Sequence, residues 1–157
     1  MKTNLSKLLT AVVLIGTLST AVFADNKFGL GVGIAEDLPT IRATIDIDQD
    51  LRLEPFIGFS YADTDGNSGH EIVVGTALHL KKSINTKLKG YYGGYIGIGN
   101  MDQGTTDETN FNLGPVAGVE YAFDPKFTLG AEVSLNFGFG DTTSVGTCSS
   151  VLLRYYF

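Results

Sequence analysis

The chain closes on Cys148-Ser149-Ser150-Val151-Leu152-Leu153-Arg154-Tyr155-Tyr156-Phe157. Val151, Leu153, Tyr155 and Phe157 share one parity; Ser150, Leu152, Arg154 and Tyr156 share the other. A period of two is that of a β-strand, in which successive side chains point to opposite faces. One face is apolar through to the terminal aromatic, with no polar tail after it. Chain ends in water usually fray, so an end of this kind is unexpected in a soluble protein.

The same alternation recurs upstream. It is clearest over 127–139, where Phe127, Leu129, Ala131, Val133, Leu135, Phe137 and Phe139 oppose Thr128, Gly130, Glu132, Ser134, Asn136 and Gly138. Counting segments of this type predicts strands near 26–35, 40–47, 51–62, 70–81, 87–99, 110–123, 127–139 and 148–157. The 87–99 segment is the least regular, with glycines on both faces. No later stretch has a helical period, so the class is all-β: eight antiparallel strands in up-and-down order. Most segments reach the roughly 9–11 residues that a tilted membrane strand needs. Pro55 and Pro115 fall inside strands, where each forfeits a ladder hydrogen bond. A bulge is expected at each, and Phe56 is then left pointing inward.

Before these strands come Lys2 and Lys7, then an uncharged run over 8–24 that ends Ala21-Val22-Phe23-Ala24. A basic start, a short apolar run and small residues at the last and third-from-last positions predict a secretory signal peptide, residues 1–24. The run is short of the roughly 20 apolar residues of a membrane helix. The barrel would then be residues 25–157, with nine basic and 17 acidic residues and a net charge of −8. That balance excludes nucleic acid as an expected partner. The single cysteine, Cys148, excludes an internal disulfide and reads as a small buried residue.

Two architectures share the pattern: a soluble lipocalin-like barrel with its apolar face inward, and a membrane barrel with that face outward. The polar face is too poor in charge and too rich in glycine and alanine to be a solvated surface. It suits the filled interior of a narrow barrel. Aromatics gather at strand ends, with Phe28, Tyr121, Phe123, Phe127, Tyr155 and Phe157 at one end and Phe59, Tyr61, Phe111, Phe137 and Phe139 at the other. Three connections, 48–50, 83–86 and 124–126, read as short turns; 63–69, 100–109 and 140–147 read as longer loops. Aromatic girdles and alternating loop lengths are features of transmembrane β-barrels.

On these residues the final strand resembles the C-terminal signal strand of bacterial outer-membrane β-barrels, and the segment 25–157 resembles the small eight-stranded barrels of the OmpA transmembrane-domain and OmpX kind. The resemblance implies a monomer in the outer membrane with both termini in the periplasm. It implies that Val151, Leu153, Tyr155 and Phe157 form the insertion signal read by the barrel-insertion machinery, with periplasmic chaperones upstream. Its surroundings would be outer-membrane lipid and lipopolysaccharide.

The inward face carries Arg42, Asp46, Arg52, Glu54, Glu120, Glu132 and Arg154, together with His79, Lys81, Lys87 and Lys89, mostly near the short-turn end. An eight-stranded barrel has room only for side chains, and buried charges must pair. A salt-bridged plug is expected, with Glu132 and Arg154 on adjacent strands as the first pair and Glu120 and Arg52 close behind.

The structural or surface-contact role this suggests works through envelope integrity or short acidic outer loops. The alternatives are a narrow channel gated by the plug, and a lipid-modifying enzyme resembling the outer-membrane lipid A deacylases and palmitoyltransferases. The catalytic alternative has only Ser68, His70 and Glu71 to offer, and His70 and Glu71, as strand neighbours, face opposite ways. No enzyme is expected. Nor is a cofactor or metal: Asp63, Asp65 and Asn67 alternate as in a Ca²⁺ loop, but the glycine is misplaced and the twelfth-position glutamate is missing.

Overall fold

A computed structural model describes residues 27–35, 38–64, 67–102, 107–141 and 143–157. The signal peptide expected over 1–24 lies outside the described residues. Eight strands follow one another: β1 (Lys27–Ala35), β2 (Leu38–Asp46), β3 (Leu51–Thr64), β4 (Asn67–Ser83), β5 (Leu88–Asp102), β6 (Asp107–Ala122), β7 (Phe127–Gly140) and β8 (Ser144–Tyr156). Each pairs antiparallel with its sequence neighbours, and β1 pairs with β8 to close the barrel. Closure gives every strand a neighbour on each side, the condition for crossing lipid as a sheet; β3 past Gly58 and β8 before Ser150 extend beyond their ladders with β2 and β1.

The two faces are inverted relative to a soluble protein. Among the described residues, 13 polar or charged residues are buried against seven hydrophobic ones. The exposed set includes Val32, Ile41, Phe59, Ile96, Val133 and Val151, all of outward parity. An exposed apolar band around a polar interior is the transmembrane arrangement, and the lipocalin-like reading is thereby excluded. The aromatics at the short-turn end of the band touch one another: Tyr155 packs edge-on to Phe127 at 5.4 Å and to Phe157 at 5.2 Å, and Phe157 stacks on Phe28 at 5.7 Å.

The three turns at that end share one construction. In each, an Asx side chain accepts hydrogen bonds from the amides two and three residues on: Asp48 Oδ1 from Asp50 and Leu51, Asn85 Oδ1 from Lys87 and Leu88, Asp124 Oδ1 from Lys126 and Phe127, all at 2.7–2.9 Å. The amide before each Asx residue bonds the carbonyl across the turn, Ile47 to Leu51, Ile84 to Leu88 and Phe123 to Phe127. A short side chain that mimics a backbone acceptor is why Asp and Asn occupy these positions.

The other end differs from the expected long loops. β3 runs to Thr64 and β4 begins at Asn67; β5 runs to Asp102 and β6 begins at Asp107; β7 runs to Gly140 and β8 begins at Ser144. The strands continue through the polar stretches, so the intervening segments are as short as the turns. Polar composition marked where burial in lipid stops, not where the ladder stops, because backbone pairing needs no apolar side chain. At ~3.3 Å per residue, the 17 residues of β4 outreach a hydrocarbon layer ~30 Å thick even when tilted.

The expected bulges are absent too. Register is constant along β2–β3 on both sides of Pro55 and along β6–β7 on both sides of Pro115. Only the pairs beside each proline drop out of those two ladders, while the β3–β4 and β5–β6 ladders pass through Pro55 and Pro115 unbroken. Each residue in a ladder turns its N–H to one neighbour only, so a proline costs one strand pair locally and shifts nothing.

Large inward side chains lie over glycines on the neighbouring strand. Phe56 pairs in register with Gly75, Tyr91 with Gly118 and Leu152 with Gly33. A Cβ on Gly118 would stand 2.6 Å from Tyr91 Cζ and 2.6 Å from the Ala131 carbonyl oxygen. A Cβ on Gly146 would meet nothing within 4 Å. Gly118→Ala should therefore lower stability by about 1–3 kcal/mol through overpacking, and Gly146→Ala should be near neutral. Urea unfolding of the refolded protein in detergent, followed by heat-modifiable gel mobility, measures both.

Candidate functional site

The inward face of the short-turn half holds four buried cations, Arg42, Arg52, Lys81 and Arg154, and four buried anions, Asp46, Glu54, Glu120 and Glu132. Arg154 on β8 is the hub. Its Nη2 donates to Glu54 on β3 at 3.0 and 3.1 Å and to Glu132 on β7 at 3.2 Å, and its Nη1 donates to Glu120 on β6 at 3.1 Å. Arg52 donates through Nε to Asp46 at 2.8 Å and through Nη1 to Glu120 at 2.9 Å. Arg42 donates to Glu132 at 2.9 Å, and Lys81 lies 2.9 Å from Asp46.

The pair read from adjacent strands, Glu132 and Arg154, is thus in contact, and so are Glu120 and Arg52. Arg154 to Glu54, Arg52 to Glu120 and Arg42 to Glu132 join strands that are not neighbours, across the lumen. Two lysines on the expected inward list sit apart. Lys87 belongs to the 84–87 turn and is exposed; Lys89 is half-buried, in register with Glu120.

Neutral groups complete the plug, beyond the charged residues expected there. Tyr156 accepts from Arg52 Nη2 at 2.6 Å and donates to Glu120 at 3.3 Å. Tyr91 and Ser150 donate to Glu132 at 2.9 and 3.1 Å. Tyr91, Phe56 and Tyr156 also lie face-on to Arg154, Arg42 and Arg52, at 5.7, 5.5 and 5.8 Å, a favourable contact for a desolvated guanidinium. Their parity with the charged residues was the available signal. An aromatic on a polar face reads as an exception until the glycine opposite it is paired to it.

Of the residues weighed for catalysis, two are placed by β4. His70 and Glu71 are successive residues of β4 and take opposite faces; the Ser68 side chain lies outside the described residues. His79 is sealed in the plug. Cys148 lies within β8 rather than at its entry, on the inward parity and partly buried.

Charge is divided along the barrel axis. At the end away from the Asx turns stand Glu71, Asp102, Asp107, Glu108 and Asp141, and no lysine or arginine lies there among the described residues. Lys82, Lys87, Lys89 and Lys126 are all at the turn end.

A closed eight-stranded barrel with an apolar belt and an ion-paired lumen defines a small transmembrane barrel of the outer-membrane type. Comparison of the fold agrees. Neisserial surface protein A has a TM-score of 0.62 at 20% identity, over 84% of this chain and 94% of that one. The N-terminal β-barrel domain of Pseudomonas aeruginosa OprF has a TM-score of 0.61 at 16% identity, over 85% and 98%. A major outer membrane protein of Thermus thermophilus has 0.57 at 12%, over 84% and 99%. No family model matches the sequence, and no curated protein matches it. The chain has the fold of the small eight-stranded outer-membrane barrels.

Removing one partner of a buried ionic group leaves the others uncompensated, at a cost of about 3–5 kcal/mol. Arg154→Met, which takes from Glu54 its closest cation and from Glu120 and Glu132 one of two, is expected within that range. Lys126→Met, an exposed turn residue over Tyr155, should cost under about 1 kcal/mol. Equilibrium urea unfolding in detergent separates the two.

Proposed function

We propose that this is a monomeric outer-membrane protein, inserted with both termini in the periplasm, whose role is structural or one of surface contact rather than transport or catalysis. The closed lumen carries this reading. Arg52, Glu54, His79 and Arg154 are at most 1% exposed, and every cation of the cluster has a carboxylate partner. A plug of that kind supports a filled barrel rather than a conduit.

The protein then acts through its outside. Its apolar band meets outer-membrane lipid, and Val151, Leu153, Tyr155 and Phe157 lie on that band as a strand the insertion machinery can read. Its acidic far end, next to lipopolysaccharide, suits contact through shared divalent cations or with a cationic partner surface.

Planar-bilayer recordings of refolded protein test the reading. The wild type should give no conductance steps above the bare membrane, and the double substitution Arg52→Ala/Arg154→Ala, which removes two side chains of the plug, should. Steps in the wild type would favour the narrow channel instead.

A further inference from the structure

We propose that Glu54, His79 and Glu132 form a site for a transition-metal cation of the zinc class, held closed by Arg42 and Arg154. One ligand atom from each of the three lies within 4.8 Å of the other two, and all three residues are buried. His79 Nδ1 is 3.7 Å from Glu54 Oε2. The imidazole is fully buried, and neither ring nitrogen has a hydrogen-bond partner in the protein. Every other titratable residue of the cluster is paired; this one points at two carboxylates and bonds neither.

The chemistry of the donor set selects the ion. An imidazole with two carboxylates suits zinc and its neighbours, whereas Ca²⁺ and Mg²⁺ take oxygen ligands in larger number. Tetrahedral zinc at about 2.0–2.2 Å from each ligand holds them about 3.3 Å apart, so the widest edge of the site must close by about 1.5 Å. Two guanidinium groups now hold the carboxylates together. Arg154 Nη2 bridges Glu54 at 3.0 Å and Glu132 at 3.2 Å, and Arg42 Nη1 bridges the same two at 3.6 and 2.9 Å. One divalent ion supplies the same charge at a single point and also engages the imidazole lone pair, which an arginine does not reach here. Arg154 keeps Glu120 at 3.1 Å when it yields. Arg42 has no other carboxylate among its ion pairs, so it is the competitor that limits affinity.

The test is calorimetric titration of Zn²⁺ into refolded full-length protein in detergent, with heat-modifiable mobility confirming each fold. Arg42→Gln should tighten Zn²⁺ binding by roughly tenfold or more, since a buried competing charge is gone. Adding His79→Ala to that variant should abolish the gain, and Ca²⁺ should show no gain in either. A second readout needs no arginine variant: excess Zn²⁺ should raise the wild-type unfolding midpoint and leave that of His79→Ala unmoved. No gain in Arg42→Gln, a gain that survives His79→Ala, an equal gain with Ca²⁺, or no wild-type shift would each overturn the site.

Discussion

One guanidinium holds the barrel's interior together. Arg154 sits on the last strand and reaches carboxylates from three others, β3, β6 and β7. With lipid on the outside, a polar interior has only itself to satisfy it. Four buried cations meet four buried anions, and Tyr91, Ser150 and Tyr156 donate to carboxylate oxygens that the guanidinium groups also bond. The arrangement depends on all its members, because an ion left alone in such a place costs far more than a pair returns.

Packing around that network depends on glycine. A narrow barrel cannot seat Phe56, Tyr91 and Leu152 together with a Cβ opposite each of them on the neighbouring strand. Gly75, Gly118 and Gly33 stand at those registers. The glycine-rich inward face is thus the complement of the aromatic and arginine side chains beside it. The rings in turn flank the guanidinium groups, so steric fit and electrostatics are satisfied by the same residues.

Much of this was legible in the residues, and the misses have definite causes. Strand parity placed Arg42, Asp46, Arg52, Glu54, Glu120, Glu132 and Arg154 on one face because alternation is a local property of the chain. Asp48, Asn85 and Asp124 marked turns through a local hydrogen bond. Polarity does not mark the strand ends at Asn67 and Ser144, since the ladder there continues outside the apolar layer. Pro55 and Pro115 were expected to shift the register. Each instead lacks a donor on one side only, and nothing in the residue itself says which neighbour that side faces.

Sequence by itself determined the period, the number of strands, the division into an apolar and a polar face, and the residues available to fill the interior, because each follows from neighbours a few positions apart. Tertiary structure alone decided that Arg154 also meets Glu54 and that Arg42 meets Glu132 across the lumen. Arg154 and Glu54 lie 100 residues apart and on strands that do not touch. Their contact exists only once β1 pairs with β8 and the sheet curves shut, bringing opposite walls within the reach of one side chain. β8, which ends at Tyr156, is where that closure is made.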